Sequence, residues 1–146
     1  MKEVATQSPV SREKIMQLER AISELPNQLD LNDLTKHHFA PGIYVRELFI
    51  PAGTILTGKI HRHEIMNILV SGTIRVTTDD GVKELSGMKI YNSQPGTKKA
   101  AVAVTDTIWL NVHPTKETDL VKIEEEFIAP SFEALENDTK ALEKKS

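Results

Sequence analysis

From Tyr44 to Val112 apolar and polar positions alternate with a period of two, and on either side the period lengthens to three and four. The alternating stretch predicts strands near Tyr44–Ile50, Ile55–Ile60, Met66–Val70, Thr73–Thr78, Val82–Leu85, Lys89–Tyr91, Lys98–Val104 and Thr107–Val112. Turn residues separate them: Pro51-Ala52-Gly53, Ser71-Gly72, Asp79-Asp80-Gly81, Ser86-Gly87, Gln94-Pro95-Gly96 and Thr105-Asp106. Asp80-Gly81 is the sharpest hairpin signal among them. Many short strands with no helices between them specify an antiparallel sandwich or barrel, because parallel strands need long crossovers.

The flanks read as helices. Ser8 suits an N-cap and Pro9 a first helical position, and Ile15, Leu18, Ile22 and Leu25 form a narrow apolar stripe that Pro26 ends. That stripe either docks on its own barrel, the reading favoured here, or pairs with a second subunit. Asn27 to His38 is expected to be a loop, with His37-His38 solvated in it. After Pro114, Thr118 or Asp119 caps a helix through Phe127 whose face carries Leu120, Ile123 and Phe127, and Pro130 breaks it. Ser131 to Ser146 has room for one more short helix, interrupted by Asn137-Asp138-Thr139 and frayed at Lys144-Lys145-Ser146. The expected organisation is residues 1–38 as helix and connecting loop, 39–115 as β-barrel and 116–146 as helical tail.

At 146 residues the chain has the length of one domain with modest appendages, and enough to bury a core without staples. It contains no cysteine, so any metal would need His, carboxylate or amide ligands, and no thiol nucleophile exists. The net charge of -3, from 18 basic and 21 acidic residues spread along the chain, provides no footprint for nucleic acid. No stretch approaches the ~20 apolar residues of a membrane span, and the first residues lack an apolar signal region. The expectation is a cytoplasmic protein without nucleic-acid or membrane partners.

Candidate chemistry concentrates in Lys59-Ile60-His61-Arg62-His63. In a continuous strand Lys59, His61, His63, Ile65 and Asn67 share one side. On the inside of a barrel, two imidazoles and an ammonium would converge on a metal or anion site; on the outside they are solvated surface. His113, Glu64 and Asn67 are the nearest candidate third metal ligands, of which Glu64 has the wrong parity and Asn67 the wrong chemistry for a transition metal. Lys99 is either a cavity cation or a surface lysine. Glu124-Glu125-Glu126 reads as a solvated helix face, Trp109 as core or dimer interface, and Tyr44 and Tyr91 carry no assignable role. Ser71, Ser86 and Ser93 are expected in turns, and no nucleophile elbow, phosphate-binding glycine loop or H-E-x-x-H helix occurs.

The middle of the chain resembles the cupin superfamily, double-sheet jelly-roll barrels with a first motif G-x5-H-x-H-x3-4-E-x6-G. Taking His61-Arg62-His63 as the histidine pair puts Asn67 at the glutamate position but brings Gly72 two residues early. Counting from Gly53 instead reaches Lys59, His61, Ile65 and Gly72 at every required spacing. In that frame only His61 matches a family ligand; Lys59 and Ile65 replace the first His and the Glu. The second motif, G-x5-P-x-G-x2-H-x3-N, is matched loosely from Gly87 through Pro95 and Gly96, with Lys99 at the last histidine and Ala103 at the asparagine. The family's three-His-one-Glu site is therefore not reproduced. Ile55 to His61, Pro95 to Lys98 and Ile108 to Thr115 also look like small cupin-like proteins encoded by bacteriophages. The resemblance spans roughly Gly42 to Phe127 and implies a cupin-like double-stranded β-helix, a homodimer and, for a phage protein, the host cytoplasm.

Three functional expectations follow. The leading one is an accessory protein that binds a small anionic molecule in a degenerate cavity without the family's catalysis, through Lys59, His61, Asn67 and Lys99. The second is a dioxygenase or isomerase holding a divalent transition metal with His61, His63 and His113. The third is a structural or interaction scaffold.

Overall fold

The computed structural model describes residues 9–24, 30–78 and 81–137. Helix α1 (Pro9–Ser23) leads to a 3-10 turn (Leu31–Leu34). The strands are β1 (Thr35–Ala40), β2 (Ile43–Ile50), β3 (Ile55–Thr57), β4 (Ile60–His61), β5 (Ile65–Ser71), β6 (Thr73–Thr78), β7 (Gly81–Ser86), β8 (Lys89–Ser93), β9 (Ala100–Ala103) and β10 (Thr107–His113). Helix α2 (Leu120–Phe127) and β11 (Ile128–Ala129) follow, with helical residues again at 132–137. Ser8, Leu25, Pro26, Asp79, Asp80 and the chain after Asn137 lie outside the described residues, as do Asn27 to Leu29 of the expected loop.

Pairing is antiparallel throughout, in a five-stranded sheet of order β1-β2-β10-β5-β8 and a four-stranded sheet of order β3-β9-β6-β7. Setting aside β1 and the two-residue β4 and β11, the remaining eight strands pass back and forth between the sheets, with β6 and β7 a hairpin within one, as two interlocked Greek keys. This is the strand order of a double-stranded β-helix, or jelly roll, and the fold is mainly β and cupin-like. The cause is the alternation itself. Along β10, Thr107, Trp109, Asn111 and His113 are buried while Ile108, Leu110 and Val112 are half-buried on the other side. Leu48, Ile50 and Leu69 from the larger sheet meet Ile74 and Ala103 from the smaller, with Trp109 among them and Tyr91 set edge-on to it at 5.6 Å. Trp109 is thus core.

Two differences from the expected elements matter for the site. The stretch ending in His37-His38 is not a loop: β1 pairs along its whole length with β2 through a tight turn at Pro41-Gly42, where Gly42 has φ +77°. That Pro-Gly pair is a turn signal in its own right. The two imidazoles consequently point to opposite faces, His37 to the Tyr44 hydroxyl at 2.7 Å and His38 to the Glu47 carboxylate at 3.0 Å. Second, the face that Lys59, His61, His63, Ile65 and Asn67 would share in a continuous strand is interrupted at residues 62–64, between β4 and β5. The common face ends there.

The helices close the barrel's flanks. α1 docks on its own barrel, burying Ile15; the Glu19 carboxylate accepts from Thr57 Oγ1 at 2.7 Å and pairs with the buried Lys98. Arg12 adds a hydrogen bond to the Gly96 carbonyl oxygen and stacks its guanidinium over Phe132. At the other end α2 is capped by Asp119, whose side chain accepts from the amides of Val121 and Lys122, and seats Ile123 and Phe127 against Tyr44. β11 then pairs with β4, setting Ile128 opposite His61, and Arg62 holds the Phe127 and Ile128 carbonyl oxygens at 2.8 and 3.2 Å. The tail thereby fixes the strand that carries His61.

Candidate functional site

Between the sheets and beneath α2 lies a cavity of about 370 Å³, within the size range of small-molecule sites. Its floor is apolar, made by Leu48, Ile50, Leu56, Ile74, Val76 and Trp109. Polar side chains gather toward α2. β2 contributes Tyr44 and Arg46, the β3–β4 stretch contributes Lys59 and His61, and β5, β10 and the approach to β9 contribute Asn67, Asn111, His113 and Lys99.

Asn67 organises this wall. It is fully buried, its Oδ1 accepting from Asn111 Nδ2 at 2.7 Å and from Lys99 Nζ at 3.5 Å. Its Nδ2 donates to Ser93 Oγ at 2.7 Å and to the Tyr91 carbonyl oxygen at 3.3 Å. The amide's capacity of two accepted and two donated bonds is therefore filled within the protein. Asn67 orients Lys99 and Asn111 and has nothing left over for a ligand. Ser93, expected in a turn, is buried at the end of β8 because Asn67 requires it there.

Lys99 is a cavity cation: its ammonium also lies 5.6 Å from the centroid of Tyr91. Arg46 is the residue that sequence reading missed. Its alternation with Tyr44, Leu48 and Ile50 puts it on the inner face, where burial pulls the guanidinium below its usual value without discharging it. No described carboxylate forms an ion pair with it. Lys59 sits at the rim in an ion pair with Glu124, so Glu124 is exposed yet also borders the cavity, rather than belonging to a purely solvated helix face. Glu124 is the sole carboxylate among the described lining residues, against three cations.

His61 and His113 are neutral at physiological pH. Burial pushes His61 down to about 3, helped by the charges of Lys99, His113, Arg46 and Lys59, and pushes His113 down to about 4, helped by Arg46 and His63. His61 Nδ1 is buried without a hydrogen-bond partner among the described residues, which leaves a polar atom for a bound molecule to satisfy. Because both imidazoles resist protonation only in the folded state, unfolding takes up protons as the pH falls below the ordinary value of 6.5. Their contribution is intact above that value and is lost as the pH falls toward about 4 and then about 3. The expected result is a urea midpoint that drops between neutral pH and about pH 5, with a smaller drop in His113→Gln.

A divalent metal, which the family resemblance implies, does not fit these residues. His61 and His113 stack as rings with centroids 6.0 Å apart and planes 28° apart, and His113 is packed in turn against Tyr44 and Phe127. His63 is exposed and packs edge-on against Phe127, and it borders a second cavity together with His61, His113, Glu64 and Glu126. Glu64 is held by Asn92 at 3.2 Å. Among the described residues no three His, Cys, Asp or Glu side chains are placed to hold a metal ion. His61, His63 and His113 border one cavity without being placed to share a metal ion, and the surrounding cations oppose a positive ion.

No protein-family model matches the sequence, and no curated relative matches it. Solved structures do. KdgF from Halomonas sp. is 16% identical and superposes with a TM-score of 0.49, covering 64% of this chain and 90% of its own. A cupin superfamily protein from Desulfitobacterium hafniense is 13% identical with a TM-score of 0.49, covering 67% and 87%. The cupin domain of an XRE family transcriptional regulator from Enterobacter cloacae is 12% identical with a TM-score of 0.46, covering 53% and 90%. The fold assignment itself rests on the strand order described above. No helix among the described residues is long and apolar enough to cross a membrane.

Proposed function

We propose that the barrel binds a small organic anion, a carboxylate on an apolar body, and holds it without a metal. The observation that carries this reading is the presence of Arg46 and Lys99 in one cavity over an apolar floor, with the one bordering carboxylate among the described residues, Glu124, already engaged by Lys59. A half-buried guanidinium with no described ion-pair partner, Glu124 being engaged by Lys59, is costly unless a ligand supplies more counter-charge. A carboxylate accepting from Arg46 and Lys99 satisfies that need, and charge-assisted bonds of this kind are the strong ones. The floor takes the apolar part, and neutral His61 offers its unsatisfied Nδ1 to a polar substituent. Lys59 acts at the rim, exchanging between Glu124 and an entering anion. An accessory role of phage type is part of this proposal and is supported by the sequence resemblance alone.

The test is what travels with the protein. Untagged protein, purified and denatured, is analysed for released organic acids by mass spectrometry and for metals by elemental analysis. A carboxylic acid near one equivalent, with metal far below that, supports the reading. Stoichiometric transition metal that vanishes in a His61→Ala, His113→Ala double variant overturns it.

A further inference from the structure

One row of the five-stranded sheet runs, strand by strand, through His37, Arg46, Asn111, Asn67 and Tyr91. Of these, Arg46, Asn111 and Asn67 border the cavity side by side. The hydrogen bonds along the row fix which way each amide faces. The Tyr91 carbonyl oxygen can only accept, so the end of Asn67 that meets it is Nδ2. The Lys99 ammonium can only donate, so the end that meets it is Oδ1. The Asn111 atom 2.7 Å from Asn67 Oδ1 must therefore be a donor, Nδ2. That leaves Asn111 Oδ1 turned away from Asn67, on the side of Arg46, its directly opposed cross-strand partner. No described residue donates to this oxygen, although Asn111 is only 8% exposed. An enclosed carbonyl oxygen without a donor is costly unless a ligand brings one.

We infer that Asn111 selects the ligand: a carboxylic acid with a hydroxyl on the carbon next to its carboxylate, the hydroxyl donating to Asn111 Oδ1 while Arg46 and Lys99 hold the charge. This rests on the anion-site reading and names the group beside the carboxylate. Directly opposed residues of an antiparallel pair have Cβ atoms ~5 Å apart. An acid held by the guanidinium therefore presents its next carbon to the amide. An ammonium there would donate equally well, but it would enter among three lining cations, Arg46, Lys59 and Lys99, whose one described lining carboxylate, Glu124, is already paired. A hydroxyl donates without bringing a charge.

Calorimetric titration of the full chain tests this with hexanoate, α-hydroxyhexanoate and α-methoxyhexanoate, each run beside its primary amide. The ether keeps the oxygen and lacks the donor. The hydroxy acid is expected to bind ~5–10-fold more tightly than hexanoate, and the ether no more tightly than hexanoate. In Asn111→Leu the ratio of the two affinities, hydroxy acid to hexanoate, should fall to about one. That substitution also removes a donor to Asn67, so the wild-type series decides the matter if the variant does not fold. Acids that outbind their amides with no gain from the hydroxyl, an ether that matches the alcohol, or a gain that persists in Asn111→Leu overturn the inference and leave the anion site standing. Acids that bind no better than their amides, or not at all, overturn both.

Discussion

Replacing Gly72 with alanine is expected to lower the free energy of unfolding by about 3–5 kcal/mol, from backbone strain and steric overlap together. Gly72 turns the chain from β5 in one sheet to β6 in the other, at φ +98°, a conformation that side chains rarely adopt. A methyl group there would overlap the Asp106 carbonyl oxygen and stand 2.8 Å from both Cα and Oγ1 of Thr107. Neither neighbour can give way easily. Thr107 is fully buried and its hydroxyl donates to the Thr105 carbonyl oxygen at 2.9 Å. Gly42 provides the control, since its φ is +77° but nothing lies within 4 Å of the added carbon. Gly42→Ala therefore has the backbone term alone, about 1–2 kcal/mol. Urea unfolding of both variants checks the comparison, and equal losses would show that the close approach at Gly72 contributes nothing.

Replacing either Arg46 or Lys99 with methionine is expected to weaken carboxylate binding by about 10–100-fold, the usual worth of one charge-assisted hydrogen bond in a desolvated site. The accompanying stability change separates a binding group from a structural one. Arg46 is a half-buried cation with no described ion-pair partner, so an apolar side chain of similar length should leave the apo protein as stable as before or more so. Lys59→Met should change affinity only several-fold, because that ammonium lies at the exposed rim and is shared with Glu124. Glu124→Gln should strengthen binding, by releasing Lys59 to the ligand. Thermal melts with and without added carboxylate read both quantities from one series.

The barrel was legible because alternation is a local property of the chain. Seven of the eight strands expected from it occur with boundary shifts, Ile55–Ile60 divides at Gly58-Lys59 into β3 and β4, and the Gly53 to Gly72 spacing marks the turns that fold them back. β1 is not legible in the alternation because Lys36, His37 and His38 are polar in succession, and its pairing rests on the Pro41-Gly42 turn to β2. The site was legible only in part. His61, Lys59 and Lys99 line the cavity as expected, and Asn67 does too, although its hydrogen bonds are consumed by Asn111, Ser93, Tyr91 and Lys99. His63 shares a face with His61 only in an unbroken strand. The break at residues 62–64 follows from the return of β11 to β4 and the hold of Arg62 on Phe127 and Ile128, a contact between distant segments that no local pattern encodes. Arg46 had a signal: it shares parity with Tyr44, Leu48 and Ile50. A charged residue in a core-facing register was the mark of the cavity, and only the paired sheet shows what it faces.

The most direct measurement is a calorimetric titration with matched pairs of alkyl carboxylates and the corresponding primary amides, which share size and shape and differ in charge. The carboxylates are expected to bind at least ~10-fold more tightly than their amides, with the preference abolished in the Arg46→Met, Lys99→Met double variant. Amides that bind as well as the acids, or a preference that persists without both cations, would contradict an anion site in this cavity.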